Sequence, residues 1–253
     1  MSPLRLFMIY DLFQQKAIDY IKNGCSVIVS APTGAGKTVI AEYVINDCLE
    51  KNKKAVYTAP IKALSNQKFR EFQGSFRDKI GILTGDVSIN SHAPILIMTT
   101  EIFRNKVLEE KTGLDEYSWI IFDEIHYLDD YERGTVWEES LIFLPKHMKM
   151  LALSATIPNI NEFADWIRSI HNRPLKIVKE DHRPVPLHFF YQYQGEIVNS
   201  IANVKHRLLR TEHLKPNKPA SLIKHLFEND RLPCIYFSFG RRRCEYIAKE
   251  IQG

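Results

Sequence analysis

The sequence predicts an α/β protein built on a doubly wound parallel sheet, and three observations carry that expectation. Short β-branched runs recur along the chain, and most are continuously apolar rather than alternating, as strands buried on both faces are. Between them lie segments of helical pattern, so the chain reads as repeated βαβ units. The third observation is size: 253 residues, 45% hydrophobic and 25% charged, can bury a full core and amount to one complete α/β domain plus something extra.

Taken in order, a helical pattern over 14–22 (QQKAIDYIK) precedes the run SVIVS (26–30), and a second helix is expected over 37–50. AVYTA (55–59), a helix over 63–73, IGIL (80–83), ILIMT (95–99) and a helix over 101–109 follow. WIIFD (119–123), a helix over 136–144, MLALSA (150–155) and a helix over 160–170 complete the alternation. Beyond 173 the character changes: RPLKIVKEDHRPVPLHFFYQYQ (173–194) reads as a strand, a proline-rich crossing and another strand. Residues 195–230 show amphipathic helical patterns interrupted by KPNKP (215–219), and 231–253 read as a strand over CIYFSF (234–239) followed by a helix. In a doubly wound sheet ligands sit at the carboxyl ends of the strands, so the residues just after each run are the candidates for function.

The first such segment is SAPTGAGKT (30–38), which follows a strand and opens a helix. It fits the phosphate-loop pattern G-x-x-x-x-G-K-[ST], with Ala31 in place of the first glycine. Ala31, Pro32, Thr33, Gly34, Ala35, Gly36, Lys37 and Thr38 form the candidate ATP-binding loop, in which the backbone N–H groups of residues 34–38 would surround a β-phosphate at a helix N-terminus. Lys37 would bridge the β- and γ-phosphates and Thr38 would hold Mg²⁺, making ATP and Mg²⁺ the expected ligands. Gly34 and Gly36 allow the left-handed backbone and the close approach that a side chain would block.

WIIFDEIH (119–126) is the second. Its apolar strand delivers Asp123 and Glu124 to the same end of the sheet, Asp123 as a second Mg²⁺ holder and Glu124 as the base for the water that attacks the γ-phosphate. A solvated turn after a strand would account for two acids, though not for their falling where Lys37 and Thr38 need them.

Several classes are excluded at this stage. Cys25, Cys48, Cys234 and Cys244 form no C-x-x-C pair, and the nine histidines are scattered, so no structural metal is expected. Reduced thiols suggest a cytoplasmic protein, with Cys25 and Cys48 in the core. The opening MSPLRLFMIYDLF is too short an apolar stretch for a signal peptide, and no run approaches a membrane span. A net charge of +4 by itself does not identify a nucleic-acid binder.

Taken with TAPIKALSNQKFREF (58–72), TGDVSIN (84–90), MTTEIFRNKV (98–107), ERGTVWEE (132–139) and LSATIPN (153–159), the phosphate loop and DEIH (123–126) resemble, in order, the motifs of superfamily 2 helicases. The resemblance is to the superkiller-type branch of exosome-assisting RNA helicases and covers most of the chain. It implies a RecA-like P-loop lobe over 1–173, lobe-exit strands and a connector over 174–230, and the first elements of a second RecA-like lobe over 231–253. It implies that Gln14 reads adenine, and that the aromatic which usually stacks on the base six residues earlier is replaced by Met8, with Phe7 adjacent. Ser154 and Thr156 are expected to couple ATP state to movement through the DEIH segment (123–126), which resembles motif II of the family, with His126 involved. Pro60, Ile61, Lys62, Gly85, Asp86, Thr99, Thr100 and Glu101 are expected to grip one nucleic-acid strand by its backbone. The expected partners are single-stranded RNA, with DNA the alternative as in repair helicases, and an exosome-like complex. Arginine fingers belong to the second lobe of such enzymes, so this sequence is expected to be a fragment that binds ATP and turns it over weakly or not at all. A non-unwinding ATP- and nucleic-acid-binding regulatory module is the reading from a different class.

Overall fold

The computed structural model describes residues 9–109, 113–193, 196–200, 202 and 217–252. Strands β1 (Ser26–Ser30), β2 (Lys54–Ala59), β3 (Ile80–Leu83), β4 (Ser88–Ile89), β5 (Ile95–Thr99), β6 (Tyr117–Phe122), β7 (Lys149–Ser154) and β8 (Leu175–Lys179) form one sheet. Its order is β4-β3-β5-β2-β6-β7-β1-β8, and every pairing is parallel except the antiparallel β3–β4 edge. Helices α1 (Leu12–Lys22), α2 (Thr38–Glu50), α3 (Lys62–Phe76), α4 (Thr100–Leu108), α5 (Gly134–Ile142) and α6 (Ile160–His171) cover it.

The continuous apolar runs are interior strands, and β1 and β5 are buried at every residue. Successive side chains of a strand point to opposite faces. Val27 and Val29 therefore pack with Ala17, Ile40, Val44, Phe69 and Phe72 of α1 to α3, while Ile28 packs with Phe103, Trp137, Leu141 and Ala164 of α4 to α6. Each such side chain contributes about 1.5–3 kcal/mol of burial. Both faces must be covered for a strand with no polar side to be stable, which is why the chain winds helices onto each in turn.

The edges are built differently. β4 has two residues and no periodicity to announce it. It lies so close to β3 that a Cβ on Gly81 would meet the Asn90 carbonyl oxygen at 2.0 Å, an approach only glycine permits. On the opposite edge β8 exposes Lys176 and Lys179, which discourages further strand addition.

The chain divides after Val185 into two compact units. β8 pairs with β1 inside the first, and the Glu180 N–H donates to the Ser30 carbonyl at 2.9 Å. The second unit has an antiparallel hairpin of β9 (Tyr191–Tyr193) and β10 (Glu196–Val198), a helix over Pro219–Glu228 and a helix over Arg241–Gln252. The first of these helices starts where KPNKP ends, with proline in its first turn. The strand expected over CIYFSF is not formed among the described residues. Ile235, Phe237 and Phe239 are 81%, 87% and 100% exposed, because an apolar run becomes a strand only when another strand pairs its N–H and C=O groups. Cys25 is half-buried rather than core, whereas Cys48 is buried as expected. Among the described residues no helix is long and apolar enough to cross a membrane.

Candidate active site

Because β6, β7 and β1 are neighbours in the sheet, the phosphate loop, the Asp123–Glu124 pair and the Ser154–Thr156 segment emerge side by side at the carboxyl ends. The loop's left-handed residues are Gly34 (φ 86°) and Gly36 (φ 82°). Ala31 is not among the positive-φ residues, so the missing first glycine costs nothing here; it is buried, and its N–H donates to the Ser154 carbonyl at 3.2 Å. Pro32 is also buried, and its carbonyl accepts the Ala35 N–H at 3.2 Å, whereas Thr33, Gly34 and Gly36 face solvent. Lys37 Nζ donates to the carbonyls of Ala31 (2.8 Å) and Pro32 (3.1 Å), capping the cradle from within. Burial pushes the Lys37 ammonium below the usual lysine range, opposed by the nearby Glu124 and Asp123 carboxylates.

Gln14 is buried and belongs to this loop. Its Oε1 accepts the Asp11 N–H at 3.0 Å, the backward half of a helix-capping pair, and its Nε2 donates to the Gly36 (3.2 Å) and Ala35 (3.4 Å) carbonyls. Both ends of the amide are thus engaged by protein. In this arrangement Gln14 clasps the loop to α1. Met8 and Phe7 lie outside the described residues.

Asp123 follows β6 directly, and both its oxygens are fixed. Oδ2 accepts the Tyr57 hydroxyl at 2.5 Å and Oδ1 accepts the Glu124 N–H at 3.1 Å. Tyr57 is fully buried on β2, and burial followed by the Asp123 charge pushes its phenol well above the usual range, so it stays a donor. Glu124 adopts a left-handed backbone (φ 56°, ψ 45°), an uncommon conformation for a non-glycine residue and one that clusters at functional sites. Burial, reinforced by Asp123, raises the Glu124 carboxyl above the ordinary carboxylate range, with His126, Lys37 and Lys68 pulling it back. A carboxylate of raised basicity facing a lysine of lowered pKa is the kind of perturbed pair that marks a candidate site for proton transfer. A hydroxyl from Thr38 and carboxylates from Asp123 and Glu124 form an all-oxygen donor set, which fits a hard cation such as Mg²⁺.

His126 Nδ1 lies 3.3 Å from Glu124 Oε2, and its ring tilts against Tyr127. Together with Thr156, Ile157, Phe163 and neighbouring residues it lines an open pocket of about 430 Å³. Ser154 Oγ is buried and makes no hydrogen bond, so the bond expected from Ser154 to motif II is not formed. The segment is tied to the phosphate loop by Ser30 instead: Ser30 Oγ donates to the Ala155 carbonyl (3.3 Å) and accepts the Ile157 N–H (3.2 Å).

The residues expected to grip nucleic acid gather on the other half of the sheet, after β2, β3 and β5. Lys62 Nζ pairs with Asp86 Oδ1 at 3.2 Å across exposed surface, beside Gly85, and Thr84 Oγ1 also donates to Asp86 at 3.0 Å. Ile61 precedes α3 in extended conformation, and Pro60 offers its carbonyl to Arg133 Nη1 at 3.5 Å. Thr99 and Thr100 are buried, and the Thr100 hydroxyl donates to the Ala59 carbonyl at 3.4 Å. Both threonines are thus withdrawn from solvent at the start of α4, where Glu101 is the acidic residue of the first turn.

Four residues that sequence reasoning did not single out belong to this region: Ser30, Tyr57, Lys68 and Arg133. A tyrosine or serine inside a wholly apolar strand is a readable signal, because a buried hydroxyl needs a partner. Lys68 and Arg133 lie within the quoted stretches 58–72 and 132–139, but their partners Thr38 and Pro60 are distant in sequence and could not be read from them.

Residues 11–163 match the family described as DEAD/DEAH box helicase. The chain is 39% identical over 269 residues to the human exosome RNA helicase MTR4, covering 96% of this chain and 26% of that protein. It is 40% identical over 270 residues to the mouse superkiller complex protein 2, covering 93% of this chain and 22% of that one. The chain thus spans about a quarter of the length of these curated relatives. Among solved structures it is similar to the DUF1998 helicase MrfA, with a TM-score of 0.68 at 20% identity over 98% of this chain and 39% of that chain, a likeness of fold.

Proposed function

This chain belongs to the DEAD/DEAH box helicase family, and from that premise we propose that it is the ATP-binding part of an ATP-dependent RNA helicase of the superkiller type. The observation that carries the reading is the adjacency of β1 and β6 through β7, which sets Lys37 and Thr38 opposite Asp123 and Glu124. Lys37 exchanges the Ala31 and Pro32 carbonyls for oxygens of the β- and γ-phosphates, while the N–H groups of residues 34–38 hold the β-phosphate. Thr38 and Asp123 would hold Mg²⁺, which supplies charge neutralisation on the phosphates when bound. Glu124, raised in basicity, takes the proton of the attacking water; the water oxygen bonds to the γ-phosphorus as the bond to the bridging oxygen breaks, releasing ADP. Tyr57 keeps Asp123 in one orientation throughout.

Single-stranded RNA is proposed to lie across the ends of β2, β3 and β5, held through Lys62, Arg133 and the α3 and α4 N-termini without base readout. The relative named as an exosome RNA helicase favours RNA over DNA, and an exosome-like assembly is the proposed partner class.

The test combines nucleotide and strand binding on the 253-residue chain. A fluorescent ATP analogue should bind saturably, and Lys37→Ala should abolish binding with the thermal melt unchanged. Labelled single-stranded RNA should bind more tightly than DNA of the same sequence, with steep salt dependence. In a form of the protein competent for turnover, Glu124→Gln should keep analogue binding and lower hydrolysis about 10²- to 10⁴-fold, the usual contribution of a positioned base. Absence of nucleotide binding, or turnover by Glu124→Gln near that of the parent, would overturn the assignment.

A further inference from the structure

Lys68 is poorly explained as a surface lysine. It lies on α3, thirty residues from the phosphate loop, yet its Nζ donates to Thr38 Oγ1 at 3.4 Å, and its side chain is only 16% exposed. Its Nζ lies over the Phe72 ring, 5.9 Å from the centroid, and Phe72 itself packs edge-on against Tyr57, the residue that fixes Asp123. The ammonium also donates to Glu71 Oε2 at 2.9 Å, and Glu71 is held from its other oxygen by Gln67 Nε2 at 2.8 Å. Glu42 and Glu124 both feel the Lys68 charge. One cation therefore sits among three carboxylates and on the very hydroxyl that the phosphate loop would offer to a metal.

We propose that Lys68 is a resident cation of the nucleotide site: it contacts the terminal phosphates when no metal is present and withdraws to Glu71 when a divalent cation claims Thr38. The inference rests on the ATP-site reading given above. Two positive groups cannot share the Thr38 oxygen at contact distance, because their repulsion in a partly desolvated site is large. Glu71, oriented by Gln67, already holds the ammonium at 2.9 Å, so letting go of Thr38 and keeping only the Glu71 bond needs no more than a side-chain rotation. The role is that of a positioning and charge-supplying residue, and its signature is a change in how strongly nucleotide binding depends on metal. A lysine serving only helix stability through an i,i+3 pair would leave that dependence untouched.

The experiment is a titration of a fluorescent ATP analogue into the parent chain, Lys68→Met and Lys68→Arg, each in saturating Mg²⁺ and in EDTA. Lys68→Met should lose about tenfold in EDTA, the lower range for a hydrogen bond to a charged group, and less than about threefold in Mg²⁺. Lys68→Arg should restore most of the metal-free affinity, since a guanidinium also donates to phosphate. A second readout is the Mg²⁺ concentration that half-saturates the analogue complex, which should fall in Lys68→Met because the competing cation is gone. Equal losses with and without metal would show a structural role and overturn the proposal, as would no loss in either condition. A parent chain that binds no analogue under any condition would remove the ATP-site reading, and this inference with it.

Discussion

Replacing Tyr57 with phenylalanine removes one oxygen from a fully buried position and leaves the ring packing against Phe72 in place. That oxygen donates to Asp123 Oδ2 at 2.5 Å, within the range of a charge-assisted O–H···O⁻ bond. Hydrogen bonds to charged groups contribute about 1.5–3 kcal/mol, and losing one partner leaves the other to be resolvated or stranded. Asp123 is only half-buried and keeps the Glu124 N–H, so water can replace part of the interaction, and the expected loss is about 2 kcal/mol. For a domain of this size each kcal/mol moves the melting temperature by about 2–4 °C, so Tyr57→Phe should melt about 4–8 °C lower. The assay is a thermal and urea melt of the parent, Tyr57→Phe, Asp123→Asn and the double variant at neutral pH. A coupling energy above about 1 kcal/mol is expected, because the two side chains are in direct contact. Additive losses, or a Tyr57→Phe protein as stable as the parent, would refute the claim that this bond holds Asp123.

Ser30→Ala should cost about 1–2 kcal/mol, because its hydroxyl makes two hydrogen bonds to the segment after β7, whereas Ser154→Ala should cost less than about 0.5 kcal/mol; equal losses in urea melts would contradict that division. Gly36→Ala should weaken ATP-analogue binding at least about tenfold in the same titration that tests Lys37, since its Cβ would lie 2.8 Å from Gln14 Nε2 on a backbone at φ 82°. Burial pushes the Cys48 thiol up from 9.0 to about 12, so native protein at pH 8 should be alkylated at Cys234 and Cys244 and not at Cys48, as read by mass spectrometry. The same shift has a stability consequence: the unfolded thiol loses its proton from about pH 9 while the folded one keeps it, so this contribution is intact below 9 and is lost as pH rises towards 12. An alkaline melt in which Cys48→Ala retains more stability than the parent, measured relative to neutral pH, is the expected result.

Much of this molecule was legible along the chain because its signals are local. A buried parallel strand must be apolar on both faces, so SVIVS, ILIMT and WIIFD announce β1, β5 and most of β6 without reference to anything else. A phosphate loop needs glycine at two left-handed positions and a lysine beside them, and SAPTGAGKT carries both within nine residues. Strand order was not legible in that way, yet it decides which strand ends share a site: β6, β7 and β1 meet, while β2, β3 and β5 form the other half. Side-chain partners follow from that order. The position of Gln14 was legible, but its bonds to Gly36 and Asp11 follow from the packing of α1 beside the loop. Ser154 carried the expected motif, but the β1–β7 register gives the bridging role to Ser30. CIYFSF has the composition of a strand and is not one, because pairing requires a neighbour that composition cannot supply. The sequence by itself determined the layers, the loop and the acidic pair, since each is set by the periodicity and chemistry of a few consecutive residues. Only the tertiary structure decided which buried hydroxyl, amide and ammonium answers which partner, because hydrogen bonds and ion pairs act over about 3 Å and residues as distant as Lys68 and Thr38 come within that range only when the sheet is assembled.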